Sequence, residues 1–192
     1  DKDPLNPMKN MWDTDEESRK MCELSLPAIK VNYKKFERFY TEKFKRTTQK
    51  YFSDSFNQVV QDEKLAGFVC GSDTIFCVDE FGIDDGYYAN YPCMKQKSVS
   101  YAASFGDSHF TTETYSLLNE RLQNFKAIGI RESGMISYIK GQTDVPVQKV
   151  LDPTLLLSLD DFERIEAPRV EDSKYILLYA RRYNPKMFAY AD

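Results

Sequence analysis

The chain has 192 residues, of which 42% are hydrophobic and 14% aromatic, and a formal net charge of −4. This composition belongs to soluble globular proteins, excludes disorder over the whole chain, and at this length lets one domain, or one and a fragment of another, bury a core without disulfides or metals. No apolar run approaches the roughly 20 residues of a membrane helix, and the acidic balance speaks against a dedicated nucleic-acid binder.

The N-terminus, Asp1-Lys2-Asp3-Pro4, has neither the basic nor the apolar segment of a signal peptide, so a cytoplasmic protein is expected. Cys22, Cys70, Cys77 and Cys93 include no C-x-x-C pair and read as free thiols. With His109 as the single histidine, no histidine-based zinc site can be assembled within the chain, and no metal is expected.

Residues 1–29 read as an irregular segment. Charge is then concentrated: residues 30–50 hold eight Lys or Arg against two Glu, leaving the remainder of the chain at −10. Tyr33, Phe36, Tyr40 and Phe44 recur at spacings of three and four, which predicts a helix capped by Asn32 with a basic outer face. An ordinary solvated face is one reading of those cations; contact with a phosphate-bearing or anionic ligand is the other.

From residue 54 onward, short β-like runs alternate with helical stretches, which predicts an α/β layer with a mostly parallel sheet and flanking helices. A helix over 55–64 leads into a strand at Leu65–Cys70, which stops at the turn-forming Gly71-Ser72-Asp73. A Gly- and Tyr-rich loop through Pro92 precedes a strand at Ser98–Ala102, ending in Ala103-Ser104-Phe105-Gly106. A helix from Thr111 or Thr112 aligns Tyr115, Leu118, Leu122 and Phe125, then Ala127–Ile130 forms a strand ending at Arg131-Glu132-Ser133. A helix to Gly141 follows, then a strand at Val147–Leu151 ending at Asp152-Pro153-Thr154, and a last strand at Lys174–Tyr179.

Ligands of open α/β sheets bind outside the carboxyl ends of the strands, so four strand-end loops are the candidate site. Gly71 and Gly106 allow close backbone approach, Ser72, Ser104, Ser133 and Thr154 offer hydroxyls, and Arg131 is a permanent cation suited to carboxylate or phosphate. The helix after Arg131 would add its N-terminal amides to the same anion site. Against this, Gly71-Ser72-Asp73 and Asp152-Pro153-Thr154 also serve as plain turn and cap chemistry, and Arg131 with Glu132 reads equally as an internal ion pair. His109 reads as an exposed loop residue or a catalyst, and Asp84-Asp85 as a solvated pair or a metal site. Dinucleotide, P-loop and nucleophile-elbow motifs are absent from the sequence.

The ordered segments Val69-Cys70-Gly71-Ser72-Asp73-Thr74-Ile75-Phe76, Ser100-Tyr101-Ala102-Ala103-Ser104-Phe105-Gly106, Ile128-Gly129-Ile130-Arg131-Glu132 and Val150-Leu151-Asp152-Pro153-Thr154-Leu155-Leu156 together resemble the polysaccharide pyruvyl transferase family, over roughly residues 30–180. The family usually has Gln where this chain has Thr74. The resemblance implies a Rossmann-like lobe of a two-lobed, glycosyltransferase-B-type fold, with 30–180 in that lobe and 181–192 starting the connection to a second one. It implies a bacterial, cell-envelope transferase that moves pyruvate from phosphoenolpyruvate to a glycan or lipid-linked saccharide as a ketal, with no redox cofactor and no nucleic-acid partner. Peripheral association with the inner membrane face would accompany a lipid-linked acceptor.

Carried over residue by residue, Arg131 would grip the donor's carboxylate or phosphate, while Ser104, Gly106, Ser72, Asp73 and Glu132 would line the cleft. Asp73 would orient an acceptor hydroxyl or brace its loop. The main acid–base histidine would belong to the second lobe, so the chain reads as the central part of a longer enzyme and should by itself bind phosphoenolpyruvate weakly at best. A nucleotide-sugar glycosyltransferase and a non-catalytic binding module of the same fold are the other two readings.

Overall fold

The computed structural model describes residues 15–169, 171–178 and 186. The chain divides into two compact units, residues 1–48 with 168–192 and residues 49–167.

In the first unit the principal element is α1, Glu16–Lys43, 28 residues long. It starts well before the predicted helix: Asp15, not Asn32, is the cap, accepting a 2.7 Å hydrogen bond from the Ser18 amide, and Glu16 and Glu17 favour the positive end of the helix dipole. The expectation of an irregular segment over 1–29 is therefore corrected from residue 16 onward, residues 1–14 lying outside the described residues. Pro27 sits inside α1. A proline costs a helix interior about 3 kcal/mol, yet Glu, Lys, Leu, Met and Ala around it favour helix strongly enough to carry the turn through. The strand predicted at Lys174–Tyr179 is not found over 174–178, Tyr179 lying outside the described residues. Ile176 is 97% exposed, and a strand needs a ladder partner that these residues lack in the described part.

The second unit is α/β and Rossmann-like. A 3-10 turn at Phe56–Gln58 and α2, Val59–Asp62, replace the longer predicted helix; the Leu65 amide closes on the Val60 carbonyl at 3.1 Å, delaying β1 to Phe68–Cys70. Then come α3, Val78–Phe81, inside the segment read as a loop; β2, Ser98–Ala103; α4, Thr112–Leu122; β3, Phe125–Ile130; α5, Ile136–Gln142; β4, Val147–Lys149; a 3-10 turn at Pro153–Leu156; and α6, Leu159–Glu163. Thr111 caps α4 in a reciprocal capping box with Thr114. Phe125, aligned in sequence with the face of α4, already belongs to β3.

The sheet is wholly parallel with strand order β1-β2-β3-β4. Each strand pairs with its successor, so right-handed crossovers send every connection over the same face. Burial alternates accordingly. Cys70, Ser98, Ser100 and Ile128 are buried, and in register beside them Val69 is 69% exposed, with Val99 and Ala127 half-buried on the other face.

The covered face packs an aromatic cluster. Phe76 stacks on Tyr88 with centroids 4.5 Å apart and lies 5.2 Å from Phe105 and 5.9 Å from Phe125, all four being buried. Leu118 and Leu122 of α4 and Ile139 of α5 complete the core. Phe76 and Phe105 flank the loops that follow β1 and β2, so hydrophobic packing fixes the backbone beneath the strand ends.

Candidate functional site

The carboxyl ends of the four strands lie along one edge of the sheet, because all four are parallel. Gly71 follows β1 with φ +148°, and a Cβ placed on it would lie 1.9 Å from the Tyr101 carbonyl oxygen of β2, so only glycine fits so close to that backbone. Beyond it, Asp73 bridges to Ala103: the Ser104 amide donates to the Asp73 carbonyl at 2.9 Å, and the Phe76 amide to the Ser104 carbonyl at 3.1 Å. The β1 and β2 loops are thus laced together by main-chain hydrogen bonds.

Arg131 leaves β3 and reaches both of its flanks. Its Nη1 donates to Asp152 Oδ2 after β4 at 2.8 Å, and its Nη2 to Asp73 Oδ1 after β1 at 3.3 Å. The Arg131 amide donates to the Ala103 carbonyl at 3.1 Å, which ties in the β2 loop as well. Residues remote in sequence therefore converge on one guanidinium. Arg131 and Asp152 are partly covered, while the Asp73 side chain is 82% exposed and presents its carboxylate outward.

Of the two readings left open for Arg131 and Glu132, the internal ion pair is not found: Asp73 and Asp152 are the partners of Arg131. Glu132 turns to the β2 loop, its Oε1 accepting from the Phe105 amide at 2.6 Å, and so braces the backbone. Buried Ser104 accepts from the Gly106 amide at 3.0 Å, fixing the turn with Gly106 at φ +54°. Ser72 is half-buried beside Asp73, and Ser133 is exposed beyond Arg131. The helix expected to supply amides starts only at Ile136, has seven residues and lacks a side-chain cap, so its dipole contribution is small.

Asp152 Oδ1 accepts from the Thr154 amide at 3.0 Å and hydroxyl at 2.7 Å. Those hydrogen bonds first, and the Arg131 guanidinium after them, hold the Asp152 carboxyl below the usual carboxylate range. Cap chemistry and ion pairing thus coexist in one side chain. Thr74 donates to Glu80 Oε2 at 3.1 Å.

His109 carries a partnership that the sequence did not disclose. Its Nδ1 lies 2.6 Å from Asp79 Oδ2, and its amide donates to the same oxygen at 3.0 Å, joining the loop after β2 to α3. Asp79 raises the imidazole above its ordinary 6.5, and the hydrogen bond from His109 lowers the Asp79 carboxyl. The only sequence signal was an Asp in the β1–β2 connection and a His just after β2. The Asp84-Asp85 pair does structural work: Asp84 Oδ1 accepts from the Gly86 amide at 2.8 Å, and Asp85 lies 3.4 Å from Arg121. Among the described residues, no group of three or more His, Cys, Asp or Glu is gathered to hold a metal, and no helix is long and apolar enough to cross a membrane.

The arrangement offers one cation between two carboxylates, a braced backbone with glycines at its turns, and hydroxyls at the rim. A guanidinium so placed can stabilise developing negative charge, and outward carboxylates can accept hydrogen bonds from hydroxyls. Compared with known proteins, the chain matches no family model, no curated protein and no solved structure.

Proposed function

We propose that the protein is a polysaccharide pyruvyl transferase, moving pyruvate from phosphoenolpyruvate to two hydroxyls of a cell-envelope glycan or lipid-linked saccharide on the cytoplasmic side of the membrane. One observation carries the reading: Arg131 at the end of β3 spans to Asp73 after β1 and Asp152 after β4, so three of the four motifs of the family resemblance meet at a single side chain.

The reaction balances without a redox partner. Two C–O bonds form at the central carbon of phosphoenolpyruvate and its bond to phosphate breaks; of the two hydroxyl protons, one ends on the methylene carbon, making it a methyl, and the other leaves with phosphate. In this scheme Asp73 accepts a hydrogen bond from an acceptor hydroxyl, and Arg131 stabilises the donor's carboxylate or departing phosphate. Ser72, Ser104 and Gly106 shape the floor, and Glu132 keeps it rigid. Because Asp73, Asp152 and Glu132 outnumber Arg131 in charge, the cluster suits hydroxyl recognition, and a donor that carries both a carboxylate and a phosphate calls for cations beyond it.

The test is calorimetric titration with phosphoenolpyruvate and with a nucleotide sugar, followed by phosphate release from phosphoenolpyruvate in the presence of disaccharide acceptors. Weak phosphoenolpyruvate binding that Arg131→Ala abolishes is expected. Tighter binding of the nucleotide sugar would transfer the site to a glycosyltransferase, and binding of neither would leave a non-catalytic module.

A further inference from the structure

The exposed aromatic stripe of α1 is out of keeping with the other long helix. In α4 the apolar positions Leu118 and Leu122 are fully buried, whereas in α1 and its cap Tyr33, Phe36, Phe39, Tyr40 and Phe44 remain 45–63% exposed. Among the described residues the rings touch one another: Phe39 and Phe44 are 5.7 Å apart, Tyr40 and Phe44 5.1 Å.

The cations are arranged with equal regularity. Phe36, Tyr40 and Phe44 form a row at four-residue spacing, and Lys30, Lys34 and Arg38 form a second such row, offset by two residues, or about 200° around the helix. All three basic side chains are exposed, Arg38 lies 3.9 Å from Glu42 at the end of its row, and Lys35 and Lys43 join the aromatic side. The surrounding stretch, residues 30–50, is +6 in a chain that is acidic overall.

We propose that α1 is an interfacial helix that lies on an anionic lipid surface, its aromatic row entering the headgroup boundary and its basic residues meeting lipid phosphates. Charge complementarity selects this occupant. An amphipathic helix with Lys and Arg on one face and Phe on the other binds in the plane of such a surface. Lys35 and Lys43 border the rings while Lys30, Lys34 and Arg38 lie away from them, so the cations frame an apolar stripe as headgroup phosphates require, and the acidic balance of the chain speaks against a nucleic acid. The proposed function gives the surface its purpose, access to a lipid-linked acceptor, and to that extent the inference rests on it. The vesicle measurement itself needs no turnover, so either reading can fail alone.

The experiment is cosedimentation of the full chain with vesicles of phosphatidylcholine alone and with added phosphatidylglycerol. Binding should be confined to the anionic vesicles and should weaken with salt. Lys34→Glu with Arg38→Glu should lower affinity more than about tenfold, and Phe36→Ser with Tyr40→Ser should abolish binding. Lys126→Glu, an exposed change on β3, should have no effect, and circular dichroism should report an unchanged helix in every variant. Equal binding to neutral vesicles, no binding to either, an inert charge reversal, binding to RNA without vesicles, or a dimer that dissociates in the Phe36→Ser/Tyr40→Ser variant without vesicle binding would each overturn the proposal.

Discussion

Replacing Gly71 by alanine probes the seam between the β1 and β2 loops. The added methyl would stand 1.9 Å from the Tyr101 carbonyl oxygen and 3.0 Å from its carbon, both main-chain atoms of a paired strand, and φ at this residue is +148°. To restore a separation of 3.0 Å, below which real Cβ contacts essentially never fall, the backbones must part by about 1.1 Å. Overpacking typically costs about 1–3 kcal/mol and backbone held in a sparsely populated region another ~1–3 kcal/mol, so Gly71→Ala should lose about 2–6 kcal/mol. That is a large part of the ~5–15 kcal/mol available to a domain. Urea unfolding followed by circular dichroism measures it, with two internal standards. Gly82→Ala, at φ +65° and ψ −159° with no neighbour within 4 Å, should lose only about 1–3 kcal/mol, for backbone alone. Gly134→Ala, with neither constraint, should stay within about 0.5 kcal/mol of the parent. If Gly71→Ala unfolds at the same urea concentration as Gly134→Ala, the close approach of the two loops is wrong, and with it the geometry that sets Asp73 beside Arg131.

As the single histidine, His109 gives an unambiguous proton NMR titration, and it should titrate above 6.5 in the native chain and fall back toward 6.5 in Asp79→Asn; an unchanged midpoint would break the pair. Because the folded-state value is raised, the stabilisation it brings is full below 6.5 and disappears as pH rises through that higher value, while the lowered Asp79 value removes its share only in acid, as pH falls through it. For Asp152, Thr154→Val should raise the carboxyl titration more than Arg131→Met, since the Thr154 hydrogen bonds are the larger cause; the reverse order in a carboxyl NMR titration would make Arg131 dominant. Burial pushes the Cys70 thiol up to about 11, so at pH 8 it should react with a thiol reagent only on unfolding, and rapid labelling of Cys70 in the native chain, located by peptide mapping, would contradict its burial.

Periodicity and punctuation were enough to find the parallel α/β layer in the sequence, because a strand such as Ser98–Ala103 and a helix such as Thr112–Leu122 carry local signals: β-branched and aromatic runs, a Thr111 cap, and apolar residues three and four apart. The same local logic placed Asp73, Arg131 and Asp152 at strand ends. Some of the rest was local as well, and tertiary contacts decided what remained. Asp15 started α1 earlier than the aromatic repeat suggested, and Pro27 was absorbed where the flanking turns favour helix. The stretch around Ile176 has strand composition, but strands are made by partners and not by composition. Which carboxylates hold Arg131, and that Glu132 is not among them, depends on register across three strands and on a bridge between Asp73 and Ala103. Chain order holds no information on that, because ion pairing and the His109–Asp79 contact act across space, between segments that meet only once the sheet has formed.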